Sequence, residues 1–199
     1  MCGRYFIDEA NLTQEFFHIL DVLKRKNNPN GLKTAGEIFP TDIVPVLANS
    51  RRQKVEPFAM RWGFSTANGR LIINARSETA AEKPMFRDGM KQRRCLIPAS
   101  CYFEWEHKKK SAVKFALHPP KSKMIYLAGL YRLEPCGGGI RPEFVILTRQ
   151  AAPKIAFLHD RMPVVLSAGQ AAAWLDLENP AEEVLKSAVL EMEYCPAQA

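Results

Sequence analysis

Apolar residues recur at helical spacing from Glu9 to Lys26, where Leu12, Phe16, Ile19, Leu20 and Leu23 share one face and charged residues occupy the other. This predicts an amphipathic helix with Asp8 as its N-cap. Ahead of it, residues 2–7 alternate in character as a short strand does. The run from Asn27 to Gly36 is polar and carries glycine and proline, so it reads as a loop. Phe39-Pro40-Thr41 then leads into a strand at residues 43–48, whose Pro45 argues for an edge or an irregular start. A turn at Arg51-Arg52 and a strand from Val55 to Phe64 begin a meander, and Asn68-Gly69 marks a further turn before Leu71-Ile72-Ile73. From Asn74 the segment NARSETAAE reads as the start of a helix, and residues 84–94 as a short basic helix or loop. A strand is expected at residues 95–105, turned back by the lysine-rich tip EHKKKS into residues 113–118 as a hairpin. Strands follow at residues 124–133 and 143–148 around a loop, EPCGGGIRP. Pro153 suits the first turn of a helix, Ser167 caps one containing Trp174, and Pro180 opens a last one, AEEVLKSAVLEM. Strands dominate the middle with no βαβ alternation. The pattern predicts one α+β domain over residues 1–199, with a mainly antiparallel, barrel-like β-sheet core flanked by helices.

Composition narrows the class. Of 199 residues, 47% are apolar and 25% charged, and no run approaches the ~20 apolar residues that span a bilayer. The N-terminus MCGRYFIDEA lacks the basic start and long apolar stretch of a secretory signal, so a cytoplasmic location is the expectation, with no membrane partner. Cysteines at 2, 95, 101, 136 and 195 are odd in number, scattered and without CxxC spacing, which argues against a disulfide framework and a structural zinc site. A net charge of +7 is permissive for a polyanionic partner.

Four places put chemistry into this pattern. Cys2 follows the initiator methionine, so loss of Met1 would leave one residue carrying two nucleophiles, an α-amine of pKa about 7.7–8.0 and a thiol of about 8.5. Asn74 and Arg76 follow a buried strand, where scaffolds present functional groups; a capping role for Asn74 is the alternative. In a strand Tyr102, Glu104 and Glu106 share one face and Phe103 and Trp105 the other, so Glu104 sits between large aromatics in a setting that raises a carboxyl pKa. An exposed strand glutamate is its alternative. His159, before Asp160, Arg161 and Pro163, is either an acid–base residue or a helix cap beside a surface ion pair. Together Cys2, Asn74, Glu104 and His159 are the parts of covalent catalysis, with Arg4, Arg76 and Arg161 each within two residues of one of them.

The motifs MCGRY, RWGF, NARSET, RCLIPAxxYFEW and HDRMPVVL, in this order over residues 1–166, resemble those of the SOS response-associated peptidase (SRAP) family of abasic-site-processing proteins. The resemblance implies a DNA-damage protein that acts as a monomer without a cofactor or metal. It would bind single-stranded DNA or a single-strand to double-strand junction and capture abasic sites covalently. The family's catalytic residues match Cys2, Asn74, Glu104 and His159, and its DNA contacts match Arg4, Pro40, Trp62, Arg76, Trp105 and Arg161. The implied product is a thiazolidine between Cys2 and the ring-opened abasic sugar, with strand cleavage of the lyase type as the outcome without the thiol. The alternative is a cysteine peptidase that removes its own Met1; a non-catalytic DNA-binding module is a third reading. Two departures stand out. Cys101 replaces the family's glycine and would add a thiol near the site, and the segment from Trp62-Gly63 to Asn74 is short.

Overall fold

A computed structural model describes residues 2–11, 13–26, 31–108 and 111–197. Its first sheet is built from β1 (Tyr5–Ile7), β2 (Gly36–Ile38), β9 (Cys101–Lys108), β10 (Ser111–His118) and β15 (Glu193–Pro196), in the spatial order β15-β10-β9-β1-β2. The second contains β3 (Ile43–Asn49), β4 (Val55–Trp62), β7 (Asn74–Arg76), β8 (Arg94–Ala99), β11 (Ile125–Cys136), β12 (Gly139–Gln150), β13 (Arg161–Pro163) and β14 (Val165–Leu166). Its order is β13-β12-β4-β3-β8-β11-β14, with β7 beside β12. Because β11 also pairs with β12, strands β12, β4, β3, β8 and β11 close on themselves. That closure makes the core a barrel, as the strand-rich middle of the chain predicts. Pairing is antiparallel except where β12 runs parallel to β4 and to β7. A ribbon of β5 (Phe64–Ser65) and β6 (Leu71–Ile72) ends in the turn at Asn68-Gly69, where Gly69 has φ +77°. Helices α1 (Gln14–Arg25), α2 (Pro84–Gln92), α3 (Ala168–Leu175) and α4 (Ala181–Lys186) pack outside the sheets. Among the described residues no helix is long and apolar enough to cross a membrane.

Local expectations fail in informative places. The first helix is capped by Thr13, whose Oγ1 accepts from Phe16 N at 3.3 Å; Asp8 instead accepts from Ala10 N, in a 3-10 turn at Glu9–Asn11. Phe16, Ile19 and Leu23 are buried as their spacing predicts, while Leu12 lies outside the described residues. Residues 27–30 of the expected loop and 109–110 of the lysine-rich tip also lie outside them. The segment NARSET begins as strand β7: Ile146 N donates to Ile73 O at 3.1 Å and Ser77 N to Thr148 O at 2.8 Å, a long-range ladder that overrides local helix propensity. The expected strand at residues 95–105 is two strands in different sheets. At the crossing, Ser100 N donates to Phe6 O at 2.7 Å and its hydroxyl accepts from Asp8 N at 2.9 Å. The expected loop EPCGGGIRP is the end of a long hairpin, turned only at Gly137 and Gly138, whose φ of +56° and +87° suit a primed turn. Pro153 opens one 3-10 turn, and the last helix is short, the chain returning as β15 against β10. Ser167 does cap α3, through a capping box with Gln170.

Candidate active site around Cys2

Three strands from two sheets bring the candidate residues together. Cys2 lies three residues before Tyr5, the start of β1, and has no exposed surface. Its carbonyl accepts from Asn74 Nδ2 at 2.9 Å, so β7, set in place by its parallel pairing with β12, reaches across to the first sheet. The register Tyr5↔Tyr102 lays β9 beside β1. On β9, Tyr102 and Glu104 share one face, as strand alternation predicts, and pair with the buried Leu117 and Phe115 of β10, so that face points inward.

Burial dominates the electrostatics. It raises the Glu104 carboxyl, which is 7% exposed, above its ordinary range; His159 lies within electrostatic reach and partly opposes that shift. Burial also pushes the Cys2 thiol far up, and the charge of Glu104 adds to the effect. The resting sulfur is therefore a protonated thiol, not the thiolate of a cysteine–imidazole pair. The His159 ring is half-buried, and its Nδ1 accepts from Arg161 N at 2.9 Å while lying 2.7 Å from Asp160 Oδ1. These contacts require opposite protonation of Nδ1. The backbone N–H can only donate, so the neutral ring carries its proton on Nε2, and the solvated Asp160 becomes a partner when the ring is protonated.

Beside Cys2, on the opposite face of the first sheet, cations alternate with aromatic rings. The Arg4 guanidinium lies 4.3 Å from the centre of the Phe39 ring and 5.2 Å from that of Trp105, and Lys114 Nζ lies 4.0 Å from that of Phe103. Glu37 joins them, accepting from Arg4 at 3.1 Å and Lys114 at 2.8 Å. Burial alone would raise its carboxyl, but those two hydrogen bonds bring it below the usual range and keep it ionised. Phe39 and Pro40 stand on a pinned turn: Asp42 Oδ2 accepts from Phe39 N at 2.9 Å, and Thr41, held at φ +81°, donates to Trp62 O at 2.9 Å. Arg76 is exposed, two residues beyond Asn74.

The structure gives three of the expected residues partners of their own. Trp62 has no exposed surface: its ring stacks on Phe144 at 6.2 Å and 7°, and Nε1 donates to Ile73 O at 3.0 Å, so no face is open to a DNA base. Arg161 donates both ends of its fork to Glu78, at 2.8 Å each, and also donates to Thr148 O at 2.7 Å, tying β13 to β12 and the chain after β7. Cys101 shares the outward-facing side of β9 with Phe103, within electrostatic reach of Cys2, and burial pushes its thiol up to about 12. Sequence reasoning missed Phe39, Lys114 and Glu37. Phe39 beside Pro40 was the readable signal; the other two meet Arg4 only through sheet register.

A family model described as SOS response associated peptidase (SRAP) matches residues 1–198. The chain is 28% identical over 205 residues to the abasic site processing protein YobE of Bacillus subtilis, covering 96% of this chain and 89% of the relative. It is 26% identical over 188 residues to the abasic site processing protein YedK of Escherichia coli, covering 92% and 83%. Among solved structures, a protein from Bordetella bronchiseptica superposes with a TM-score of 0.77 at 21% identity over 100% of both chains. One from Bacteroides thetaiotaomicron gives 0.75 at 17% identity over 99% of this chain and 92% of the other. These structural likenesses concern the fold.

Proposed function

This chain belongs to the SOS response associated peptidase (SRAP) family, and from that premise we propose that it processes abasic sites in DNA by capturing the damaged sugar on Cys2. The observation that carries the proposal is the 2.9 Å hydrogen bond from Asn74 to the Cys2 carbonyl, beside a buried Glu104 of raised pKa and within reach of His159. Asn74 thereby orients the residue whose amine would react. The reading requires Met1, which lies outside the described residues, to be removed. An α-amine of pKa near 8 is then partly neutral at physiological pH, whereas the buried thiol is not ionised, so the amine attacks first.

The ring-opened abasic sugar presents an aldehyde. His159 assists opening of the sugar, the Cys2 amine adds to the aldehyde carbon, and loss of one water leaves an imine. Glu104, whose carboxyl burial raises above its ordinary range, donates to the leaving oxygen and then accepts the thiol proton. The sulfur adds to the imine carbon and closes a five-membered thiazolidine. If the thiol does not add, β-elimination from the imine cleaves the strand. The row of Arg4, Phe39, Trp105 and Lys114, with exposed Arg76, suits a single strand, because guanidinium and ammonium groups bind phosphate while any base stacks on a ring. Peptidase chemistry enters this reading only as removal of Met1, since no resting thiolate is set up for turnover of other peptides.

The test is to incubate the mature protein with abasic single-stranded DNA and run a denaturing gel. A heat-stable adduct is expected, absent from Cys2→Ala. An adduct that persists in Cys2→Ala, or none in a wild type whose mass shows Met1 lost, would overturn the proposal.

A further inference from the structure

Two buried tyrosines flank Cys2 and have no task in the chemistry above. Tyr5 follows Cys2 on β1 and pairs directly with Tyr102 on β9, so both rings lie on the inner face of the first sheet, next to Glu104. Neither has exposed surface, and neither hydroxyl has a hydrogen-bond partner among the described residues. The Oδ1 of Asn74, whose amide nitrogen holds the Cys2 carbonyl, is likewise buried and unpartnered. Cys2 bears electrostatically on both phenols, Glu104 on that of Tyr102 and Asp42 on that of Tyr5. Packing fixes the Tyr5 ring, whose centre lies 5.3 Å from that of Trp62.

A buried hydroxyl without a partner destabilises a fold, and phenylalanine would fill the same space without that cost. Two such hydroxyls on directly paired residues, both within electrostatic reach of one thiol, point to an acceptor that exists only during reaction. We propose that the Tyr5 and Tyr102 hydroxyls donate hydrogen bonds to the Cys2 sulfur as it becomes a thiolate during ring closure, an assignment that rests on the abasic-site reading above. In that step the thiol proton leaves to the Glu104 carboxylate, the C–S bond forms, the C=N π bond breaks onto nitrogen, and the proton is delivered to that nitrogen. The sulfur is negative only between the first and second of these events. Two preset O–H dipoles stabilise it there, in surroundings that otherwise disfavour the charge.

Tyr5→Phe, Tyr102→Phe and the double variant test the assignment against abasic single-stranded DNA in single turnover. Two species are followed together: the imine trapped by borohydride at early times, and the heat-stable adduct. Thermal melting of each variant shows whether it is folded. The expected result is an imine formed at the wild-type rate and a stable adduct slowed about tenfold in each single variant and about a hundredfold in the double. The strand-cleavage product should rise as ring closure slows, with melting temperatures at or above wild type. Unchanged adduct rates in folded single variants would overturn the assignment alone, and so would imine and adduct slowing in parallel. A wild type that forms neither imine nor adduct would overturn the abasic-site reading, and the assignment with it.

Discussion

Glu104 carries an acid–base role because β9 turns it into the core, and that placement has a stability cost that can be measured apart from activity. Its folded pKa is raised, so between the ordinary carboxyl value near 4.3 and the raised one the native state binds more protons than the unfolded chain. Stability therefore falls as pH rises through that window. Glu104→Gln removes the titration while keeping the shape. Its melting temperature, relative to wild type, is expected to climb from pH 4 to pH 8 while adduct formation slows. A difference that stays flat with pH would show that the carboxyl is not perturbed in the fold. Arg161, by contrast, forms a bidentate pair whose hydrogen bonds hold the Glu78 carboxyl at about 2.

At the scale of elements, the closed barrel depends on strands approaching more closely than side chains allow. Gly129 on β11 sits between β8 and β12, and a Cβ there would meet Ile97 Cδ1 at 2.5 Å, Val145 O at 2.8 Å and Cys95 Sγ at 3.0 Å. A backbone carbonyl in a ladder cannot step aside. Gly129→Ala is expected to destabilise by about 3 kcal/mol, read in urea as a lower midpoint with an unchanged slope. A midpoint equal to wild type would mean that the barrel wall yields. The fate of NARSET belongs to this scale too. Nothing local forbids a helix there, but β12 offers it a parallel partner, and that pairing is what aims Asn74 at Cys2.

For the molecule as a whole, one buried carboxylate joins the barrel to the small ribbon of β5 and β6. Glu143 has no exposed surface; it accepts from Ser65 N at 3.0 Å, from Arg132 at 2.9 Å and from Arg141 at 2.8 Å, with Arg61 at 3.3 Å. Burial alone would raise its carboxyl, but those donors bring it below the usual range. Its stabilisation is thus fully present above about pH 4.3 and is lost as pH falls toward the depressed value. Glu143→Gln takes the shared counter-charge from Arg61 and Arg141, while Arg132 keeps Glu134 at 3.1 Å. A loss of about 3 kcal/mol or more is expected at pH 7, roughly 6–12 °C in Tm, and it should shrink below pH 4. Equal melting of the two proteins at pH 7 would show that the cluster is incidental to stability.

By itself the sequence determined the class of fold, the amphipathic first helix, most strand positions and the face that Glu104 shares with Tyr102, because these follow from periodicity and turn chemistry within a few residues. The ordered motifs also determined the family. Only the tertiary structure decided which partners the arginines and aromatics meet. Trp62 and Trp105 look equivalent as letters, yet β4 buries one against Phe144 while β9 leaves the other beside Arg4. Arg76 and Arg161 differ in the same way, because only the second meets Glu78 across 83 residues of chain. The buried pair Tyr5 and Tyr102 likewise exists only through the register of β1 on β9. Local pattern records which way a side chain faces, but whether that direction ends in solvent, core or another charge depends on contacts between segments far apart in the chain.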